Sequence, residues 1–153
     1  MRMLLLIAFI TACGSGSSGS EFSETGECDP PADGTDVAVT PLQLFDTCDL
    51  TTLAEINLVE SEAQWNALFS CAQPVPEGLD LRVERAAVVH VSCSQTEYRF
   101  TADRPAEVVI GIFSRVTGAC IANVVVVPLA RSSKPARLAR CQETCSGECP
   151  PVG

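Results

Sequence analysis

Between Cys13 and Leu81 there is not one lysine or arginine, although 13 acidic residues fall in that stretch. From Arg82 onward the balance turns to 9 basic and 6 acidic residues, and the formal net charge is −9. Nucleic acid and anionic head groups reward clustered Lys and Arg, so neither is an expected partner. After the N-terminal run, no apolar stretch approaches the roughly 20 residues that a membrane-spanning helix needs. Histidine occurs once, at His90. Also absent are a Gly-x-Ser-x-Gly elbow, a His-Glu-x-x-His helix, a phosphate-binding glycine loop and a calcium loop. No cofactor and no metal is therefore expected.

What is present starts with the run "RMLLLIAFITAC". Arg2, the apolar Leu4 to Ile10, and the small Thr11 and Ala12 have the order of a secretory leader. The tetrad Ile10-Thr11-Ala12-Cys13 resembles the lipobox of bacterial lipoproteins. The resemblance implies that residues 1–12 are a signal peptide and that Cys13 becomes the first mature residue, carrying a diacylglyceryl thioether and an N-acyl chain such as palmitate. Each buried methylene contributes about 0.8 kcal/mol, so two or three acyl chains hold a protein where one would not. Gly14 follows, where enterobacterial lipoproteins retained in the inner membrane would have Asp. The expected location is thus the bacterial cell envelope, at the outer membrane or cell surface.

Nine cysteines make an odd number for an exported chain. Assigning Cys13 to the lipid leaves eight: Cys28, Cys48, Cys71, Cys93, Cys120, Cys141, Cys145 and Cys149. An oxidising compartment favours their pairing as disulfides, but eight cysteines allow 105 connectivities and sequence does not choose among them. The rival is a metal site, since Cys141, Cys145 and Cys149 recur every four residues and His90 stands three before Cys93. A helix would bring the three cysteines to one face. Gly147, Pro150 and Pro151 oppose a helix there, so disulfides are the expectation.

Residues 13–36 read as a lipidated cysteine followed by a flexible acidic tether, rich in Gly and Ser. Residues 37–153 read as a single disulfide-rich domain. Within it, Ala54, Ile56 and Leu58 alternate with Glu55 and Asn57 as in a strand. Next, Ser61 and Gln64 have the spacing of a capping box, and Trp65, Leu68, Phe69 and Ala72 follow at helical spacing. Pro74 and Pro76 stop that helix. Leu79 to Leu129 reads as sheet in short runs, with Ser114 to Gly118 as a hairpin turn joining the last two strands. Pro128 marks a strand end or an edge. Val124 to Val127 is apolar on both faces, as in a central or helix-covered strand, and the tail from Ser132 reads as an irregular, cysteine-fastened cap. The fold class is α+β: a mainly antiparallel sheet with one short helix packed on it, stapled by disulfides.

Candidate chemistry is sparse. His90, in "AVVHVSC", would act as a general base if Asp80 or Asp103 oriented it. Glu60 with Glu62, or Asp46 with Asp49, would serve as acid and base if they met across a substrate. Arg131, Lys134, Arg137 and Arg140 form the one basic cluster, read as a solvated face or a docking site for the acidic half. Trp65 belongs to the apolar helix stripe and is assigned to the core.

The order of an "SEAQWNAL" helix, then "GLDLRVERAAVVHVSC", a hairpin and a closing "ANVVVVPLARS" resembles the PrcB C-terminal domain family over about residues 54–131. Trp65, the Asp80-Leu81 pair and the run Val124 to Pro128 carry the likeness; the family's glycine-rich turn after the central strand is replaced here by "SCSQTEY". The resemblance implies a domain that binds or stabilises an envelope protein, a protease for instance, with no catalytic residues to carry over. The expected function is a non-catalytic, lipid-anchored protein-binding module. The alternatives are an extracytoplasmic hydrolase using His90 or a carboxylate pair, and a structural envelope protein.

Overall fold

A computed structural model describes residues 21–44, 48–69, 71–116 and 123–146. Its strands form two sheets. The first has the order β1 (Glu21–Gly26), β9 (Ala136–Ser146), β7 (Val108–Val116), β6 (Ser94–Asp103) and β2 (Thr35–Asp36). The second has the order β3 (Leu42–Leu44), β8 (Val124–Ala130), β5 (Glu84–His90) and β4 (Ile56–Val59). Every pairing is antiparallel except that of β7 with β9. With one helix among the described residues, α1 (Glu62–Leu68), this is the α+β, sheet-dominated class expected.

The valine run explains the layering. Val125 and Val127 join Ala87 and Val89 in packing against Val108, Ile110 and Ile112 of the first sheet. Val124 and Val126 face the other way, into a cluster with Val88, Trp65 and Phe69. Because successive strand residues point to opposite faces, a strand buried between the opposing sheet and the helix must be apolar throughout, and Val124 to Val127 are. Pro128 lies inside β8 without ending it. β3 pairs only as far as Val126, so β8 is locally an edge where the proline stands.

A seven-residue helix has little stability alone, and α1 is held at its start and along one face. Ser61 Oγ accepts from the Gln64 amide, while Gln64 Oε1 accepts from the Glu60 amide at 2.6 Å. This is close to the expected capping box, with the return bond displaced by one residue. Trp65 is fully buried, and its indole N–H donates to the Gln73 carbonyl at 2.7 Å. The helix ends at Leu68; Ala72 lies beyond it with φ +56 and is not on the helical stripe.

Three expectations are corrected. The tail from Ser132 is not an irregular cap, because Ala136–Ser146 forms β9, interior to the first sheet between β1 and β7. Part of the expected tether is sheet, since Glu21–Gly26 pairs with β9 from Ser146 to Cys141 and Thr35–Asp36 pairs with β6. The segment between them must cross the outer face of the sheet, where Cys28 is joined to Cys141. Finally, β7 and β8 are not a hairpin: they lie in different sheets, and of the expected turn Ser114 to Val116 are strand while residues 117–118 lie outside the described residues.

On that outer face Phe100, Ala102, Val109 and Ala139 pack together. A bulge between Tyr98 and Phe100 shifts the register of β6 against β7. The Phe100 ring lies over Gly111 so closely that a Cβ there would overlap it.

Candidate functional site

Of the eight cysteines expected to pair, Cys28 is bridged to Cys141 and Cys48 to Cys71, with Cα separations of 4.8 and 5.7 Å. Cys93 is also disulfide-bonded. Cys145 lies on β9 opposite Phe22. The leader, Cys13, Cys120 and Cys149 lie outside the described residues. The helix on which Cys141 and Cys145 would have shared a face is not formed, because both lie on strand β9, and Cys141 is already bonded to Cys28. Glu24 stands within 4.8 Å of the Cys28 and Cys141 sulfurs, but these are bonded to each other and leave no thiolate for an ion.

His90 ends β5 and is 7% exposed; its amide donates to the Glu55 carbonyl. Burial lowers its pKa below the usual histidine value. The carboxylates proposed to orient it are engaged elsewhere. Arg82 grips Asp80 through Nε and Nη2, each at 2.8 Å, and holds its carboxyl down at about 2. Lys134 takes Asp103 at 2.5 Å. Glu60 and Glu62 are both exposed at the helix start. Asp49 accepts from the Thr51 hydroxyl and amide, which lowers its pKa, and Asp46 is outside the described residues.

The basic cluster is spent inside the molecule. Arg137 reaches Glu27 and Glu107, and Arg140 reaches Glu55. Arg131 donates to the carbonyls of Glu60, Leu81 and Glu84. Beyond the cluster, Arg99 pairs with Glu24 and Arg104 with Asp33. The cationic half of the chain thus binds the anionic half, as one reading of the cluster expected.

What sequence reasoning missed is a cleft of about 100 Å³ between the two sheets at one end of the molecule. The connection from β2 to β3 contributes Val37 and Val39; Thr101 and Val108 come from the first sheet, Leu129 from the second, and Lys134 from the link between β8 and β9. Val37 is 38% exposed at the rim. Thr101 is 2% exposed, and its hydroxyl has no hydrogen-bond partner among the described residues, although it lies close enough to Tyr98 to oppose the rise that burial gives the phenol's pKa. Arg85, also buried, donates to the Lys134 carbonyl at 2.7 Å and to Ser132 Oγ at 2.8 Å, which fixes the link at the rim from within. These residues come from five segments, so no local motif announces the cleft. Ligand pockets for drug-sized molecules run to roughly 300–1,000 Å³, and a space of this size suits a single aliphatic side chain. A wider groove of about 480 Å³ runs along Glu62 and the 75–82 loop, but carboxylates line it and its Asp80 is already paired.

The fold and the cleft define a disulfide-stapled two-sheet domain with a small inter-sheet socket. No protein family, curated protein or solved structure matches the chain.

Proposed function

We propose that this protein is a non-catalytic binding module, held in the bacterial envelope by a lipid on Cys13, that takes an aliphatic side chain of a protein partner into the inter-sheet cleft. The cleft is the observation that carries the reading: a mainly apolar socket of single-side-chain size, with the buried Thr101 in its wall. A residue inserted there exchanges water for Val39, Val108 and Leu129, the arrangement of an interface hot spot. An envelope protease is the partner class that the PrcB-like order implies. The cysteine pairs support an oxidising location, since disulfides persist outside the cytoplasm. Cross-linking in intact cells followed by purification tests the reading when wild type is compared with Leu129→Arg and Val39→Asp. The same stoichiometric partner should be recovered with wild type and lost with both variants while their circular dichroism is unchanged. Equal recovery with all three removes the cleft from the account.

A further inference from the structure

The chain is fixed in the first sheet from Glu21 onward. Six register pairs run from Glu21 opposite Ser146 to Gly26 opposite Cys141, and the Cys28–Cys141 disulfide locks the strand at its far end. Eight residue steps separate Cys13 from Glu21. At about 3.3–3.6 Å per residue, that leash spans at most ~27 Å when fully extended.

The register also says which parts of the domain share an end. Ser146 lies opposite Glu21, and because β7 runs parallel to β9, Val116 points towards that same end. Ser94 lies opposite Val116. At the other end are Ala136 beside Val108, Asp103 opposite Val108, and Glu84 opposite Ala130. The cleft, with Thr101, Val108, Leu129 and Lys134, belongs to that second end. β9 is 11 residues long, or ~36 Å at about 3.3 Å per residue. An inverted domain, resting on its Ala136 end, would hold Glu21 about 36 Å above the lipid, beyond the leash's reach.

From this we infer that the end of the sandwich bearing Ser94, Val116 and Ser146 faces the bilayer that holds Cys13, and that the cleft end faces away from it. The inference rests on the lipid anchor under the proposed function. Among the described residues, the lipid-side surface offers no unpaired cation to anionic head groups: Arg99 is spent on Glu24 and Arg115 on Glu143. Val116, 73% exposed, is an apolar contact at the head-group level. The fitting partner is therefore the bilayer interface itself, independent of lipid charge. Orientation then serves binding, because the socket is presented to a partner approaching from outside.

The test uses full-length lipidated protein in phosphatidylcholine vesicles with a head-group energy acceptor. A donor is placed by a genetically encoded side chain at Gln95 or at Ala106, both exposed and ~27 Å apart along β6 and its turn. Transfer from Gln95 should exceed that from Ala106 about twofold or more. Tripling the leash with Gly and Ser, which raises its reach to roughly twice the length of β9, should erase most of the difference. Equal or reversed transfer with the native leash, in protein that floats with the vesicles and carries the acyl mass, overturns the orientation alone. Protein that neither floats nor carries that mass overturns the anchor and the orientation together.

Discussion

Arg140 on β9 donates to Glu55 at 2.6 Å across a sequence separation of 85 residues, joining the cationic half of the chain to the anionic one. Arg137 with Glu27, Arg99 with Glu24 and Arg104 with Asp33 repeat the relationship. The segregation of charge along the sequence thus becomes neutralisation in space. Glu55 is 65% exposed and Arg140 35%, so water and salt screen the pair. A double-mutant cycle with Glu55→Gln and Arg140→Gln should return a coupling of about 0.2–1 kcal/mol that shrinks in high salt. A coupling unaffected by salt would contradict a screened surface pair.

Removing the Cys28–Cys141 bridge releases a loop with a sequence separation of 113. In the chain-entropy account such a bridge stabilises mainly by restricting the unfolded chain. Cys28→Ser with Cys141→Ser should lower the unfolding free energy in urea by about 2–5 kcal/mol. It should also loosen β1, so that amide exchange rises first at Ser23 to Thr25.

Gly111 has no room for a side chain under the Phe100 ring. Gly111→Ala should destabilise the protein by about 1–3 kcal/mol, the usual effect of overpacking. Adding Phe100→Leu should recover part of that loss, since it withdraws the atoms that the new methyl meets. Non-additivity in thermal unfolding checks the contact.

Acid should act through His90. Its folded pKa is lowered by burial from the ordinary 6.5, so the unfolded chain takes up a proton at higher pH than the folded one. Stability is therefore full above about pH 6.5 and falls as the pH drops through and below that value. His90→Gln should flatten the melting-temperature profile in that window. Asp80 acts lower: with its folded pKa held to about 2, its contribution is present above the ordinary value of 3.8 and is lost as the pH falls towards about 2.

Legibility in the sequence followed the range of the interactions. The start of α1 was readable from Ser61 and Gln64 because a cap is satisfied within four residues. Val124 to Val127 was readable because burial on two faces leaves no polar alternation. β9 was missed: Arg137, Arg140, Gln142 and Glu143 give it the composition of a surface segment, and its partners β1 and β7 are remote in sequence. The false hairpin has a related cause, since β7 and β8 are both apolar runs that fit either sheet, and only packing between layers assigns them. The cleft was invisible for the same reason, its lining being assembled from five separate segments.

Envelope location and orientation both depend on a lipid at Cys13, and the mass of the N-terminal peptide of mature protein isolated from cell membranes tests that directly. The predicted result is a chain beginning at Cys13 with a diacylglyceryl group and an N-acyl chain. A chain still beginning at Met1, with an unmodified Cys13 thiol, would contradict it.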